Sequence, residues 1–391
     1  MTTTAPALTD GIHSLLPRDL WTIPARRRRD TYAITPNLPL MQAEFGYYSL
    51  DAWKTQGFPA DADPWTFAPF GFEPSGCYAL GDLGWCEAAF CPVFETKLIE
   101  DRGTTEIEQD FAGRHVLYFK GRRSGFMPEY VNHPVKDMKT WVDNVKWRLN
   151  PSEPTRFAQL ESRMAAARSA AAQGLMICQN LIGGYMYLRS LIGPEELLYA
   201  FHDQPELIHD CMRTWFELAD AVIAQHQRYV TLDEIFLGED ICYNHGSLIS
   251  PDMMNEFLIP YYQQLVTNVK RRQIDQARHL YVQIDTDGDC RPTIPVYMKG
   301  IGMDVLSPFE VASGCDVVEI GRQYPNLVIR GGIDKRVLAA GRPAIDAMLN
   351  YIYPAMKQRG GFIPTCDHGV PAEVPYQDYL YFRQRCLVLG A

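Results

Sequence analysis

The sequence predicts an α/β protein built on a distorted (β/α)8 TIM barrel with an aromatic-rich N-terminal extension. From Pro154 onward, short apolar runs alternate with helical stretches, which is the pattern of a parallel sheet. The number and length of these units favour a closed barrel over an open doubly wound sheet. No Gly-x-Gly-x-x-Gly or phosphate-loop lysine motif follows an early strand. We therefore expect an extension over residues 1–153, packed on a barrel over residues 154–391.

Seven apolar runs are predicted as barrel strands, and they are 174–179, 234–238, 279–284, 305–308, 317–320, 327–330 and 361–364. Residues 155–172 and 205–229 predict helices. Ser250 followed by Pro251 predicts another helix start, with serine as the N-cap and proline at the first position. His279 begins its run and is therefore expected on the structural face of the barrel.

The amino-acid composition of the extension differs from that of the barrel segment. Residues 38–91 are rich in Trp, Phe, Tyr, Gly and Pro, which indicates order through aromatic packing. Residues 104–120 alternate in polarity and predict a β-hairpin that turns at Phe111-Ala-Gly-Arg114. The basic run Arg26-Arg-Arg-Arg29 favours a solvated arm lying on an acidic body.

Composition excludes several classes of protein. The 391 residues are 47% hydrophobic and 21% charged, which indicates a globular chain, and the net charge of −10 disfavours a nucleic-acid partner. The ten cysteines form no Cys-x-x-Cys pair, and Met1–Asp10 has no signal-peptide core. The most apolar stretch, 174–187, falls short of the roughly 20 residues of a membrane span. We expect a soluble, cytoplasmic protein with free thiols and no membrane partner.

Acidic and basic side chains recur where the predicted strands end. In a (β/α)8 barrel these ends form the face that carries the chemistry. We expect catalytic roles for four carboxylates, namely Glu239, Asp240, Glu310 and Asp367. Lys335, Tyr185 and His245 are expected to contact substrate, His245 because it lies in the loop after Glu239-Asp240. Tyr185, Tyr187, Trp85 and Phe126 could wall a pocket, although aromatic residues more often belong to the core.

Asp285 and Asp287 are two residues apart, so continuous strand geometry would direct both to the same side. With His368 they predict a two-carboxylate, one-histidine site for a divalent metal, with open positions. The Asp-x-Asp-Gly-Asp pattern also fits the start of a calcium loop, but the later glutamate has the wrong spacing. Without a metal, crowding of like charges would raise the pKa of one carboxyl group and suit acid–base catalysis.

These residues carry a resemblance to the uroporphyrinogen decarboxylase and cobamide-dependent methyltransferase superfamily, over roughly Pro154 to Cys386. The matching motifs are Gly246-Ser-Leu-Ile-Ser-Pro251, Phe257-Leu-Ile-Pro-Tyr261, Gly331-Gly-Ile-Asp-Lys335, His368-Gly-Val-Pro371 and Val374-Pro375. The resemblance implies a distorted barrel and is less specific about a member's reaction.

Departures from the family patterns separate its branches. The region that resembles the porphyrin-binding Arg-Gln-Ala-Gly-Arg segment is Pro39-Leu-Met-Gln-Ala-Glu-Phe45, without arginines, and Gly238-Glu-Asp240 replaces Asp-Ser-Trp. Where the methyltransferase branch binds zinc through His-x-Cys-Gly, this chain has Asp285-Thr-Asp-Gly288. His368 stands in place of that branch's late cysteine. The resemblance therefore implies a divalent metal, with zinc the first choice, held by harder ligands that suit an ether, phenol or carboxylate oxygen.

The leading hypothesis is a corrinoid-dependent demethylase that accepts a methylated or methoxylated small molecule. No Asp-x-His-x-x-Gly corrinoid signature is present, so the corrinoid would come on a partner protein. The first alternative is a lyase that decarboxylates a small carboxylic acid, with Asp or His as the proton donor. The second is a non-catalytic ligand-binding barrel. The sequence leaves open a homodimer.

Overall fold

The computed structural model describes residues 21–122 and 128–391. The expectations for Met1–Asp10 and Phe126 lie outside these residues. Within the described ranges the chain forms thirteen strands and thirteen α-helices. The strands are β1 Cys77–Leu80, β2 Lys97–Asp101, β3 Thr105–Gln109, β4 His115–Phe119, β5 Glu129–Asn132, β6 Met176–Ile182, β7 Glu234–Gly238, β8 Cys242–Tyr243, β9 Gly246–Ser247, β10 Tyr281–Asp285, β11 Val305–Ser307, β12 Val328–Arg330 and β13 Phe362–Ile363.

The helices cover the outside of the sheet and its lower end. They are α1 Ile23–Tyr32, α2 Leu50–Lys54, α3 Met138–Thr140, α4 Leu160–Ala172, α5 Gly184–Ile192, α6 Pro194–Asp203, α7 Pro205–His226, α8 Pro251–Phe257, α9 Ile259–Arg272, α10 Ile294–Ile301, α11 Val317–Gln323, α12 Arg342–Arg359 and α13 Tyr376–Gly390. The side chain of Ser250 accepts a hydrogen bond from Met253 N–H, which confirms the predicted N-cap of α8.

Seven strands form one curled parallel sheet in the order β1-β6-β7-β10-β11-β12-β13. This sheet and its helices confirm the predicted distorted TIM barrel. Its first strand is β1, which pairs in parallel with β6 although it lies far upstream of residue 154. The sheet thus takes one strand from the segment that we expected to lie outside the barrel.

Between β13 and β1 the barrel is completed by an irregular segment, residues 40–47. Tyr47 forms a parallel bridge with Val370 on one side. On the other side, the Gln42 carbonyl accepts a hydrogen bond from Glu73 N–H at 3.0 Å. The segment lies where a closed barrel would place its eighth strand.

The predicted hairpin is confirmed as part of a four-stranded antiparallel sheet, β2-β3-β4-β5. β3 and β4 pair in continuous register from Thr105↔Phe119 to Gln109↔His115. No residue of this antiparallel sheet lines the cavities inside the barrel.

One predicted strand is wrong: residues 317–320 are the first turn of α11. Asp316 caps this helix, because its carboxylate accepts hydrogen bonds from Val318 and Glu319 N–H. The apolar residues Val317, Val318 and Ile320 are buried against the barrel. A run this short has no clear period, so its sequence alone does not separate a strand from a buried helical turn.

The basic run lies in α1 and is packed against the barrel, which corrects the expectation of a solvated arm. Arg28 is buried and its guanidinium lies 3.0 Å from the Glu234 carboxylate. Arg29 pairs with Asp233 at 2.8 Å. Both acids stand at the start of β7, so α1 covers the N-terminal end of the barrel.

No helix in the described ranges is long and apolar enough to cross a membrane.

All ten cysteines are free thiols, as predicted, and seven of them are buried.

Candidate active site

The inner face of the barrel encloses a cavity of about 380 Å³. Side chains alternate across a strand, so residues two apart on each strand share the inner face. β10 shows the effect: Asp285 lines the cavity, and Gln283 lies on the same side. The lining includes Cys77, Ala79, Cys178, Asn180, Glu234, Phe236, Asp285, Ser307, Arg330 and Thr365. We call this space the lumen cavity.

A second cavity of about 660 Å³ lies beside residues 41–45 and 72–75. It shares Arg28, Phe45, Ser75 and Arg330 with the lumen cavity. The two spaces therefore meet at the incomplete edge of the sheet, where residues 40–47 replace a regular strand.

Asp287 and His368 meet at the mouth of the barrel. His368 Nε2 lies 3.7 Å from Asp287 Oδ2, and its Nδ1 lies 3.4 Å from the Tyr48 hydroxyl. The imidazole stacks on Phe45, with ring centroids 4.8 Å apart, and Phe45 lines both cavities. The carboxyl–imidazole pair thus stands at the rim of the lumen cavity.

The environment of Asp287 favours its protonated form. Burial raises the pKa of Asp287 to about 7, and the nearby carboxylates of Asp240, Asp285 and Glu310 add to the increase. The ammonium group of Lys335 acts in the opposite direction and lowers the pKa of Asp287. Burial and the cation of Lys335 lower the pKa of His368, so the imidazole favours its neutral form. A carboxyl group that titrates near neutral pH is suited to general acid–base catalysis.

Asp285 is directed to the wall of the cavity. Its carboxylate accepts a hydrogen bond from the Ser307 hydroxyl, and Ser307 in turn accepts one from Gln283 Nε2 at 3.0 Å. Burial raises the pKa of Asp285, and Arg330 opposes the increase. The chain Gln283–Ser307–Asp285 fixes this carboxyl group on the inner face of the barrel.

Lys335, Glu310 and Asp367 form a second charged cluster at the mouth. The ammonium Nζ of Lys335 lies 3.1 Å from Asp367 Oδ1 and 3.6 Å from Glu310 Oε1. Asp367 is buried, and its other oxygen accepts a hydrogen bond from Val311 N–H at 3.0 Å. Lys335 therefore neutralises a buried carboxylate and links the loops after β11, β12 and β13.

The structure separates Glu239 from Asp240. Asp240 pairs with Arg189 at the mouth. Glu239 is fully buried between the outer helices, where it accepts hydrogen bonds from the hydroxyls of Tyr262 and Tyr297 at 2.7 and 2.8 Å. Glu239 follows the outward-facing positions of β7, so it does not line the cavity.

The carboxyl group of Glu239 stands at the N-terminus of α5. A Cβ atom at Gly183 would overlap it, which explains the glycine there. Burial raises the pKa of Glu239 to about 7, because its effect exceeds that of the hydrogen bonds from Tyr262 and Tyr297, which lower this pKa.

Two of the expected substrate-contacting residues lie away from the lumen cavity. Tyr185 is buried in the helical layer, where its ring stacks on Phe201 and its N–H donates to Glu239. Tyr187 is likewise core. His245 lies on the exposed β8–β9 turn and meets the edge of the Tyr243 ring. His279 pairs with Asp304 at 2.9 Å, near the start of the sheet, as predicted.

The expected metal ligands do not converge in this arrangement. Asp287 and His368 are adjacent, but the Asp285 carboxylate is held by Ser307. In the described part of the chain, no three His, Cys, Asp or Glu side chains are grouped so that they could hold a metal ion. We therefore derive no metal-dependent step from the structure.

Sequence reasoning missed the inner face of the strands. Arg330, Asn180 and Phe236 line the lumen cavity, and Trp85 stacks on Phe236 with centroids 5.2 Å apart. The signal for Arg330, Asn180 and Phe236 was present, since each lies at a position of inward parity on its strand. Trp85, which follows β1, was named among the residues that could wall a pocket, and it lines the lumen cavity.

Comparisons with family models and with solved structures both found matches. The family model described as uroporphyrinogen decarboxylase (URO-D) matches residues 127–386, more than half of the chain. A solved methyltransferase from Methanosarcina mazei is similar in fold, with a TM-score of 0.56 and 13% identity over 94% of this chain and 97% of that one. No curated protein matches the chain.

A second solved structure gives weaker similarity. It is a putative vitamin-B12-independent methionine synthase from Listeria monocytogenes, with a TM-score of 0.37 and 11% identity over 90% of this chain and 97% of that one. A similarity at this level carries no argument about function.

Proposed function

Since the chain belongs to the uroporphyrinogen decarboxylase family, we propose that it is an enzyme that removes a methyl group from a methylated or methoxylated small molecule. The methyl acceptor is a corrinoid carried by a partner protein. One observation carries the proposal: a cavity of about 380 Å³ has at its rim a carboxyl group, Asp287, whose pKa is about 7. Such a cavity is of the size that holds a small organic molecule.

In this reaction the C–O bond of the methyl ether breaks, and its electron pair stays on oxygen. A Co(I) corrinoid, when bound, would accept the methyl carbon and would supply the electron pair of the new bond. Asp287 donates a proton to the leaving oxygen, which avoids a free alkoxide or phenoxide. His368, 3.7 Å away, is the neutral polar side chain beside the Asp287 carboxyl group.

The charges at the mouth argue against a tetrapyrrole substrate. Asp240, Asp285 and Glu310 lie close enough to Asp287 to raise its pKa. A porphyrinogen with eight carboxylates would meet like charges there. Residues 39–45 supply no arginine to offset them.

A second candidate is decarboxylation of a small carboxylic acid. The observation that favours it is Arg330, a cation on the wall of the lumen cavity that could hold a substrate carboxylate. In this reaction the C–C bond breaks, carbon dioxide leaves, and Asp287 protonates the carbon left behind.

The test uses the full chain, a Co(I) corrinoid and a panel of methoxyarenes, with the methylcobalt absorbance and released carbon dioxide measured together. Methylcobalt formation that is lost in Asp287→Asn and kept in Asp289→Asn supports the proposal, because Asp289 is paired with Arg291 in the same loop. Carbon dioxide without methylcobalt supports the lyase. Neither product with any substrate supports the non-catalytic barrel. Parallel assays with added zinc and with a chelator test the predicted metal role of Asp285, Asp287 and His368.

A further inference from the structure

Arg330 is a cation of the barrel interior that lacks a partner. It ends β12, and its side chain lines both the lumen cavity and the second cavity. Across residues 21–122 and 128–391, no hydrogen bond or ion pair involves its guanidinium group. The other arginine of the lumen, Arg28, is already held by Glu234 at 3.0 Å and by the Tyr32 hydroxyl at 2.7 Å.

The groups around Arg330 do not neutralise it fully. Asp285 also lines the lumen cavity, but its carboxylate accepts a hydrogen bond from the Ser307 hydroxyl. Glu234 is engaged by Arg28. A guanidinium group in an enclosed space with no carboxylate bound to it favours an anion, because its planar donors match a carboxylate in a two-point contact.

Two uncharged polar side chains on the inner face also have unused hydrogen-bonding capacity. The Asn180 amide lines the lumen cavity and makes no side-chain hydrogen bond within the described residues. Gln283 is fully buried, and its Oε1 atom lacks a partner there. Buried polar atoms in proteins are normally paired, and the Asn180 amide, unlike Gln283, lines the lumen cavity, where a ligand can pair with it.

The opposite wall is flat and apolar. Phe236 and Trp85 are stacked with their planes 9° apart, and both line the lumen cavity. Phe45 closes the same space near His368. Aromatic faces of this kind pack against planar apolar groups.

We propose that the lumen cavity binds a small carboxylic acid with a flat apolar body, and that Arg330 holds its carboxylate. This inference rests on the proposed function and names its substrate class: a methylated or methoxylated aromatic acid. The aromatic body packs on Phe236 and Trp85. Arg330 is then a substrate-binding residue, distinct from the proton donor at the rim.

Equilibrium binding to the full-length protein without corrinoid tests the proposal. The probes are benzoate and 4-methoxybenzoate, each compared with its neutral amide, and the readout is titration calorimetry supported by Trp fluorescence. We expect the acids to bind at least about tenfold more tightly than the amides, as a charge-assisted contact predicts. Arg330→Gln removes this preference, whereas Arg330→Lys keeps part of it.

The matched control is Arg271→Gln, because Arg271 lies on the exposed face of α9, where its guanidinium donates a hydrogen bond to the Asn268 side chain. It is expected to keep the wild-type preference. Equal binding of acids and amides by the wild type, or a preference that survives Arg330→Gln, would overturn the proposal. The binding assay contains no methyl acceptor, so its result is independent of the methylcobalt assay described above. Acid binding together with no methylcobalt in that assay rejects the reaction and keeps the site, whereas methylcobalt formed from neutral ethers alone rejects the site and keeps the reaction.

Discussion

His368 Nε2 lies 3.7 Å from Asp287 Oδ2, although the two residues are separated by 81 positions in the sequence. Asp287 follows β10 and His368 follows β13, so closure of the barrel alone brings them together. Phe45, from the segment that completes the barrel, stacks on the imidazole and fixes its plane. The acid at the rim is thus held by three parts of the chain.

The rate of methyl transfer is expected to fall as pH rises through about 7. The pKa of Asp287 is about 7, so the protonated carboxyl group that acts as the acid is lost above this value. The decline should approach about tenfold per pH unit. Asp287→Asn is expected to lower the rate by roughly 10²–10⁴-fold and to abolish this pH dependence. A profile of kcat/KM against pH checks both, and an unchanged profile in Asp287→Asn would contradict the assignment.

Lys335→Met is expected to move the same decline to higher pH. Lys335 lowers the pKa of Asp287, so its removal lets that pKa rise and keeps the acid protonated further. The variant also leaves the buried Asp367 carboxylate without its ammonium partner, which should cost roughly 3–5 kcal/mol of unfolding free energy. The double variant Lys335→Met/Asp367→Asn should recover part of this loss. A decline at lower pH would show that Lys335 does not act on Asp287.

Glu239 is expected to make stability depend on pH between about 4.5 and 7. In the unfolded chain its carboxyl group ionises near the ordinary value of 4.5, whereas in the folded protein its pKa is about 7. The folded state therefore binds more protons in this window, and its stability decreases as pH rises through it. Glu239→Gln should flatten this decrease in urea unfolding, while Glu256→Gln on the exposed face of α8 should leave it unchanged. An equal slope in wild type and Glu239→Gln would refute the assignment.

Arg28→Met is expected to destabilise the fold by roughly 3–5 kcal/mol, because it leaves the Glu234 carboxylate buried and unpaired at the floor of the barrel. The double variant Arg28→Met/Glu234→Gln should recover much of this loss. Arg27→Met is the control, since the Arg27–Glu73 pair is partly exposed and should contribute at most about 1 kcal/mol. Chemical denaturation of the full chain measures all three. Equal effects of Arg27 and Arg28 would support a solvated arm.

Much of the barrel could be read from local patterns. The runs at 234–238 and 305–308 coincide with β7 and β11 to within a residue, because buried parallel strands are short, apolar and bounded by turns. The hairpin of β3 and β4 followed from alternation alone. The 317–320 run failed because a capped helical turn and a buried strand have the same composition over four residues.

The candidate site was likewise predicted only in part from the sequence. Asp287, His368, Lys335 and Asp367 lie at the mouth, where the ends of parallel strands must meet. Glu239 belongs to the outer layer, because its position directly after β7 directs it between helices. Tyr185 is core for the same reason, being on the buried side of α5.

The sequence by itself determined the fold class and the acidic mouth, since both depend on periodicity and on where apolar runs stop. Only the tertiary structure decided that Arg28 is paired at the floor and that, among the described residues, no carboxylate pairs with the Arg330 guanidinium. These outcomes depend on contacts between residues about 200 positions apart, such as Arg28 with Glu234. The local sequence around a charged residue on a strand is the same whether or not that residue is paired. The pairing is decided by how α1 and residues 40–47 pack against the sheet.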